Sequence, residues 1–405
     1  MILLSKKKHI MLLFLFITFL VMNAITYNIN IFLIGKYGKL ATAILGIISC
    51  QKSIFQFINF AKRHSLILIF WFFCMCFTFY TVLDKGLNIQ LIQNNILFVV
   101  FIYFFYLLSL EFRKKYFRPH IHFFKYLVIA MNANFVFWTF ISVVFSFEIW
   151  HTLEDRSGLG LFYENYLQLG IFSCVAAIAN LFLVMKRVRN REFYLVLYFL
   201  YLLLVILSNS RNSQFILLIF TLLSLFPYLK NLAINYLYII LFLLLGGFFM
   251  FFTSEYLLAE DISGFTTGRS VIWYYIYEYY TQTSIFLGHG IFGLNTTILE
   301  NNISYNYYFQ RLEFLYFHSS YIEVFCASGL VGFFFFCAYL VKFLKRKKQY
   351  FLVIIIISVL LGGLFESFLV QPTIMISFLF WYFMVSIEER RYRVVSTKSK
   401  PLIGI

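Results

Sequence analysis

The side chains in this chain that could do chemistry lie apart from its basic clusters. Arg211 closes the run Ser208-Asn209-Ser210-Arg211. A guanidinium offers a rigid planar fork of donors suited to phosphate oxygens; the competing reading is an arginine whose stem snorkels along lipid. Arg269 stands in Thr266-Thr267-Gly268-Arg269-Ser270-Val271-Ile272-Trp273. Thr266 and Thr267 are N-cap candidates. Ser270 to Thr281 then reads as a short amphipathic helix with Ile272, Ile276 and Tyr280 on one stripe. A cation in the first turn of that helix opposes the helix dipole unless an anion lies nearby. An ordinary solvated arginine is the alternative.

Two further stretches follow. Leu287-Gly288-His289-Gly290-Ile291-Phe292-Gly293 has glycines spaced for a tight turn with close backbone approach. It is no dinucleotide fingerprint, because the spacing is wrong and no strand precedes it; His289 reads as part of the turn. His318-Ser319-Ser320-Tyr321 opens a long apolar run that carries Glu323 and then Ser328-Gly329-Leu330-Val331-Gly332. A helix N-terminus and nearby arginines both favour a neutral imidazole able to accept a proton. An interfacial capping histidine is the competing reading for His318, and Gly329 and Gly332 suggest close approach of a neighbouring helix. Glu366, in Gly362-Gly363-Leu364-Phe365-Glu366, falls inside an apolar run. A carboxylate there is costly enough to count as a functional candidate with an arginine as its expected partner. Tyr274 belongs to a tyrosine-rich stretch whose rings could stack on sugars or form an interfacial aromatic belt. No pair of acids has the spacing of a glycoside hydrolase or a metal site.

These residues are positioned by a membrane-embedded helical scaffold. Of 405 residues, 62% are hydrophobic and 12% charged, against about 25% charged in soluble domains. Long apolar runs with only 4 prolines predict an all-α, polytopic bundle and not a barrel of short alternating strands. Spans are expected near 10–30, 40–60, 66–83, 91–110, 126–147, 160–185, 193–209, 212–228, 234–252, 320–341, 350–369 and 373–388, about 12 in all. The second is interrupted by Gln51, Lys52 and Gln56, and the seventh and eighth must form a tight hairpin. The opening Lys6-Lys7-Lys8 and its apolar run resemble a signal peptide without a cleavage site, and so predict an uncleaved first span. The 6 cysteines fall in or near spans, which predicts neither a disulfide framework nor a metal site.

The formal charge of +16 is distributed between apolar runs, which argues for topology and against nucleic acid. With the N-terminus cytoplasmic, 26 of the 33 lysines and arginines fall on the inner side, as the positive-inside rule requires. The expected organisation is spans 1–9 over residues 1–252, a large extracytoplasmic loop with short helices over 253–319, spans 10–12 over 320–388, and a basic cytoplasmic tail over 389–405. A loop of that length is usually functional.

Taken together, Ser208-Asn-Ser-Arg211, Gly268-Arg269 with Trp273 leading to Leu287-Gly-His-Gly290, and His318-Ser-Ser-Tyr followed by Ser328-Gly-Leu-Val-Gly332 resemble the motifs of the O-antigen ligase/polymerase superfamily. The family often has Asn after the histidine and Leu three residues later; this chain has Ser319 and Tyr321-Ile322. The resemblance implies a glycosyltransferase of the bacterial inner membrane, both termini cytoplasmic, acting on an undecaprenyl-pyrophosphate-linked oligosaccharide. Arg211, Arg269 and Arg311 would bind the pyrophosphate and His318 would take the acceptor proton, with His289, Glu323, Glu366, Tyr274 and Trp273 in support. No metal or other cofactor is implied. Membrane lipid, a flippase and a chain-length regulator are the implied partners. The leading expectation is a polysaccharide polymerase of O-antigen or capsule. A ligase moving finished glycan to a lipid or protein acceptor is the neighbouring reading, and a flippase or transporter is the reading from another class.

Overall fold

A computed structural model describes residues 2–86, 89–153, 156–225, 269–295, 317–346, 350–372 and 374–386. The expected ninth span at 234–252, the cap candidates Thr266 and Thr267, and Arg311 lie outside them. Among the described residues the chain is all-α apart from one hairpin. Helices α1 (Ile2–Asn23), α2 (Ile29–Cys50), α3 (Ile54–Arg63), α4 (Ser65–Lys85), α5 (Ile89–Lys115) and α6 (Pro119–Val144) come first. The strands β1 (Trp150–Leu153) and β2 (Arg156–Leu159) pair antiparallel. Then follow α7 (Tyr166–Met185), α8 (Arg191–Leu207), α9 (Arg211–Leu225), α10 (Arg269–Gln282), α11 (Ser320–Arg346), α12 (Tyr350–Gly362) and α13 (Met375–Val385). Six of the described helices (α2, α4, α5, α6, α7 and α11) are long and apolar enough to cross a membrane. Large apolar side chains such as Val136 and Phe140 on α6, and Val196 and Phe199 on α8, face outward, as lipid contact requires. This is a multi-pass membrane protein.

Several span boundaries differ from expectation for local reasons. The expected span at 40–60 is two elements. Asn28 caps α2 by accepting from the Asn30 and Ile31 amides at 2.9 and 3.3 Å, so the helix starts well before residue 40. The polar Gln51-Lys52-Ser53 ends it, and α3 is a short amphipathic helix with Ile54 and Phe55 exposed and Phe60 buried, the pattern of an interfacial helix. The sixth span starts at Tyr166, where Asn165 accepts from the Leu167 amide at 2.9 Å; before it comes the hairpin, which sequence periodicity had not suggested. The turn between α8 and α9 is as tight as expected, but α8 packs chiefly on α7, and α9 packs on α12 and α7.

The largest departure is the expected span at 350–369. Helix α12 stops at Gly362 and α13 starts at Met375. Neither has the ~20 residues of a spanning helix. Residues 363–372 between them are non-helical and mostly buried, the condition under which irregular backbone is tolerated at membrane depth. Glu366 therefore sits in an irregular turn and not in a helix.

The ends of the helices sort into two groups. At one end, Lys8 Nζ donates to Ser49 O at 2.6 Å and lies 4.0 Å from Glu111, which also pairs with Lys114 at 2.9 Å. His64, beside Lys62 and Arg63, bonds Tyr339 at 2.9 Å, and Tyr339 reaches Met384 O. Lys186 lies over the Phe351 ring at 4.6 Å. Basic clusters from α1, α3, α5 and the end of α7 thus share one end of the bundle. The candidate residues lie at the other.

Helix α11 breaks at Gly329, whose backbone (φ 62°, ψ −178°) is open only to glycine. The carbonyls that the break releases are taken by the glycine-rich loop: the His289 and Gly290 amides donate to Cys326 O and Ala327 O at 2.9 Å, and the Leu330 amide donates to Ile285 O at 3.0 Å. A Cβ on Gly329 would meet Phe286 O at 2.2 Å. Gly329 therefore admits a loop and not a helix, whereas Gly332 does face α4, where a Cβ on it would lie 3.3 Å from Phe73 Cβ. Gly329→Ala combines forbidden torsions with that clash; a loss of more than about 3 kcal/mol, seen as a lowered thermal midpoint in detergent, is expected, with Gly86→Ala, which meets open space, costing less.

Candidate active site

The centre of the site is the Glu366 carboxylate. One oxygen accepts from Arg269 Nη2 at 3.1 Å, and Arg269 Nη1 donates to Phe365 O at 2.7 Å. The other oxygen lies 3.8 Å from His318 Nδ1. The anion that relieves a cation in the first turn of α10 is therefore supplied by the chain itself. Two of the guanidinium's five donors are engaged in this way. His318 Nδ1 is buried and makes no hydrogen bond, while the ring as a whole is about one-third exposed, with side-chain accessibility of 37%. The ring thus has an inner nitrogen facing a carboxylate and an open side.

His318 is held in a left-handed conformation, φ 52°, which a non-glycine residue keeps only when its neighbours fix it. They do so from four directions. The Phe317 amide donates to Glu323 Oε1 at 3.0 Å, and Trp273 Nε1 donates to Phe317 O at 2.7 Å. The Ser319 amide donates to Ser367 Oγ at 3.1 Å, and the Ser320 amide donates to Gly363 O at 2.8 Å. Glu323 is fully enclosed and also accepts from Asn295 Nδ2 at 3.4 Å. It is a backbone anchor for the histidine turn. Trp273 has the same role and lies one helical turn from Arg269, so α10 positions both residues that face Glu366.

The irregular turn is organised by one hydroxyl. Ser320 Oγ donates to Glu366 O at 2.6 Å and accepts from the Phe368 and Leu369 amides at 3.0 and 3.2 Å. Its role was not visible in sequence, where Ser320 was only the third residue of the histidine motif. The only signal in the sequence is a serine at a helix start, two residues after the histidine; its partner turn lies more than 40 residues on and no spacing links the two.

Helix α9 brings the first motif to the same place. Asn209 takes a left-handed backbone, φ 51°, and its Nδ2 donates to Ser157 O of the hairpin at 3.2 Å. Gly158 and Gly170 admit the Ser208–Ser210 turn, since a Cβ at either would fall within 3 Å of it. The first turn of α9 packs on the irregular segment: Asn212 Oδ1 would be 3.2 Å from a Cβ on Gly362, and Phe215 meets Phe365 edge-on at 5.9 Å. Arg211 is the exposed first residue of this helix. The turn around Arg211 and the side chains of Arg269, His318 and Glu366 therefore converge on residues 362–367.

His289 lies apart from that convergence. It is buried, and Nε2 shares a 3.0 Å hydrogen bond with Tyr279 Oη while its carbonyl accepts from Thr81 Oγ1 at 3.2 Å. It belongs to the clip that closes the α11 break. Tyr280 completes that clip by donating to Leu287 O at 3.3 Å; burial, with Cys326 beside it, raises its hydroxyl well above the tyrosine range, so it stays a neutral donor. Tyr274 is half-buried on α10, its ring 6.4 Å from that of Tyr277. The expected stripe of Ile272, Ile276 and Tyr280 is buried.

Comparison with known proteins agrees with the motifs. The model of the family described as O-antigen ligase matches residues 195–337. That stretch, from α8 through the first two-thirds of α11, is similar to this family, which is consistent with the O-antigen ligase/polymerase superfamily. Glu366 lies beyond it. No curated protein and no solved structure matches the chain.

The Trp273 bond gives a test of how the histidine turn is held. Trp273→Phe keeps the apolar packing and removes one donor from a buried carbonyl, so a stability loss of about 1–3 kcal/mol is expected, measured as a drop in thermal midpoint of the purified protein.

Proposed function

We propose that this O-antigen ligase-like membrane protein is a metal-independent glycosyltransferase that polymerises a surface polysaccharide, moving a growing chain from undecaprenyl pyrophosphate to a lipid-linked repeat unit. The observation that carries the reading is the convergence of Arg269, Glu366 and His318 beside the first turn of α9, at the end of the bundle opposite the basic clusters. By the positive-inside rule the basic end is cytoplasmic, so the site faces the compartment in which exported glycans are assembled.

The chemistry needs two things from the protein. A hydroxyl of the acceptor sugar attacks the anomeric carbon of the donor; the bond from that carbon to the pyrophosphate oxygen breaks, and its electron pair leaves with undecaprenyl pyrophosphate. Fixed cations stabilise the charge that develops on the leaving group. Arg211, Arg269 and Arg311 supply them, Arg269 through donors not committed to Phe365 O and Glu366. The hydroxyl proton goes to the open side of the His318 ring. The Glu366 carboxylate faces the inner nitrogen and stabilises the imidazolium as it forms; a gap of 3.8 Å closes to a hydrogen bond as charge develops. Glu323, Trp273 and Ser320 position the histidine turn and do not touch substrate.

The description of the matched family favours a second reading, in which the finished glycan is passed to another acceptor, a lipid or a protein. Deletion followed by gel analysis of surface and lipid-linked glycans separates the two. Loss of the ladder with single repeats still attached indicates a polymerase; accumulation of long lipid-linked chains indicates a ligase. A flippase or chain-length regulator would work alongside either.

For the site itself, Arg211→Ala and Arg269→Ala are expected to abolish polymer while the protein stays in the membrane. His318→Ala is expected to slow transfer about 10²–10⁴-fold with a smaller effect on donor binding. Unchanged polymer from both arginine variants would remove the anion site, and normal turnover of His318→Ala would make the histidine a structural cap.

A further inference from the structure

A cavity of about 1140 Å³ opens between α1, α2, α5, α7 and the hairpin. Its wall includes Gln371 and Pro372, from the same irregular turn that carries Glu366, and Ile291 and Phe292, which follow the glycine clip. Cavities for drug-sized ligands run to about 1,000 Å³, so this one has room for several sugar rings. Gln93, Asn94 and Gln168 line it beside Tyr27 and His151. Side-chain amides both donate and accept, which suits hydroxyl-rich ligands.

The unusual lining residue is Lys39. It is buried in α2, its ammonium group hydrogen-bonded to Asn23 Oδ1. Lys36, also on the lining, lies one turn away on the same helix. Among the described residues neither lysine has a carboxylate within 4.0 Å. Of the two carboxylates among the described wall residues, Glu164 accepts from Thr26 Oγ1, and Glu148, 4.0 Å from His151 Nδ1, is exposed. A buried cation without a counter-ion is costly, and a second cation beside it adds to the cost. An anion carried into the cavity by a ligand relieves both.

We infer that this cavity seats the glycan of the lipid-linked substrate and selects a repeat unit bearing an anionic sugar, received by Lys39 and Lys36. The inference rests on the lipid-linked-donor reading above and adds a substrate class to it. A donor whose pyrophosphate lies near Arg269 would run its sugars past residues 366–372 into the cavity.

The test uses the full chain in nanodiscs and three probes: a glucuronate-containing tetrasaccharide, the same tetrasaccharide with its carboxyl groups reduced, and undecaprenyl pyrophosphate without sugar. Wild type is expected to bind the acidic tetrasaccharide about tenfold more tightly than the reduced one, the worth of one charge-assisted contact. The preference should vanish in Lys36→Gln/Lys39→Gln, shrink in Lys36→Gln, which leaves the buried hydrogen bond untouched, and persist in Lys39→Arg. Undecaprenyl pyrophosphate should bind these variants as it binds wild type, and should bind Arg269→Ala weakly. No acid preference in wild type, or one that survives the double substitution, overturns the inference. So does loss of undecaprenyl pyrophosphate binding in the lysine variants, which would make the lysines ligands of the lipid headgroup. If wild type ignores undecaprenyl pyrophosphate yet keeps a lysine-dependent acid preference, the glycan site stands and the donor reading fails.

Discussion

One carboxylate organises the candidate site. Glu366 reaches Arg269 with one oxygen and faces His318 with the other, so it joins residues from three separate parts of the chain. A carboxylate near membrane depth is expensive to bury alone. It persists here because the guanidinium is bonded to it and to the adjacent carbonyl, and because the turn that carries it is buttressed by the Ser320 hydroxyl. That dependence explains why α12 ends early: a continuous helix through 350–369 would leave Ser320 and Arg269 without the backbone carbonyls they bond.

The second constraint is the break in α11. An open helix turn exposes carbonyls that membrane surroundings cannot satisfy. The glycine-rich loop satisfies them, and in doing so it fixes the chain that follows α10. Because α10 also holds Phe317 O through Trp273, the loop, α10 and the histidine turn act as one unit. The glycines and His289 are thus parts of a clip, apart from the convergence of Arg269, His318 and Glu366.

Much of this was legible from sequence. Apolar runs gave the helical membrane class, and a helix over Ser270–Thr281, one residue short of α10 at each end, was readable from Ile272, Ile276 and Tyr280 at helical spacing. The pairing of Glu366 with an arginine followed from the cost of a lone carboxylate. Other features were not legible. The hairpin before α7 is a local pairing with little hydrophobic alternation, and hydropathy is blind to it. Hydropathy likewise cannot tell the half-length helices α12 and α13, with an irregular turn between them, from two full spans, because Leu364, Phe365, Phe368, Leu369 and Val370 carry the apolar run through the turn. The early start of α2 was missed although Asn28 and its following apolar run carried the capping signal. The anion that relieves Arg269 could be inferred to exist, but not that the chain supplied it.

The account depends on Arg269, Glu366 and His318 acting as a unit, and a double-substitution cycle on glycan transfer measures that directly. Rates would be taken for wild type, Arg269→Ala, Glu366→Ala and the pair, with purified protein and a lipid-linked donor. The account predicts strong non-additivity, with the pair losing little more than the more damaging single change, since each single change already breaks the unit. Losses that add in full would mean that the two residues act independently, and would contradict it.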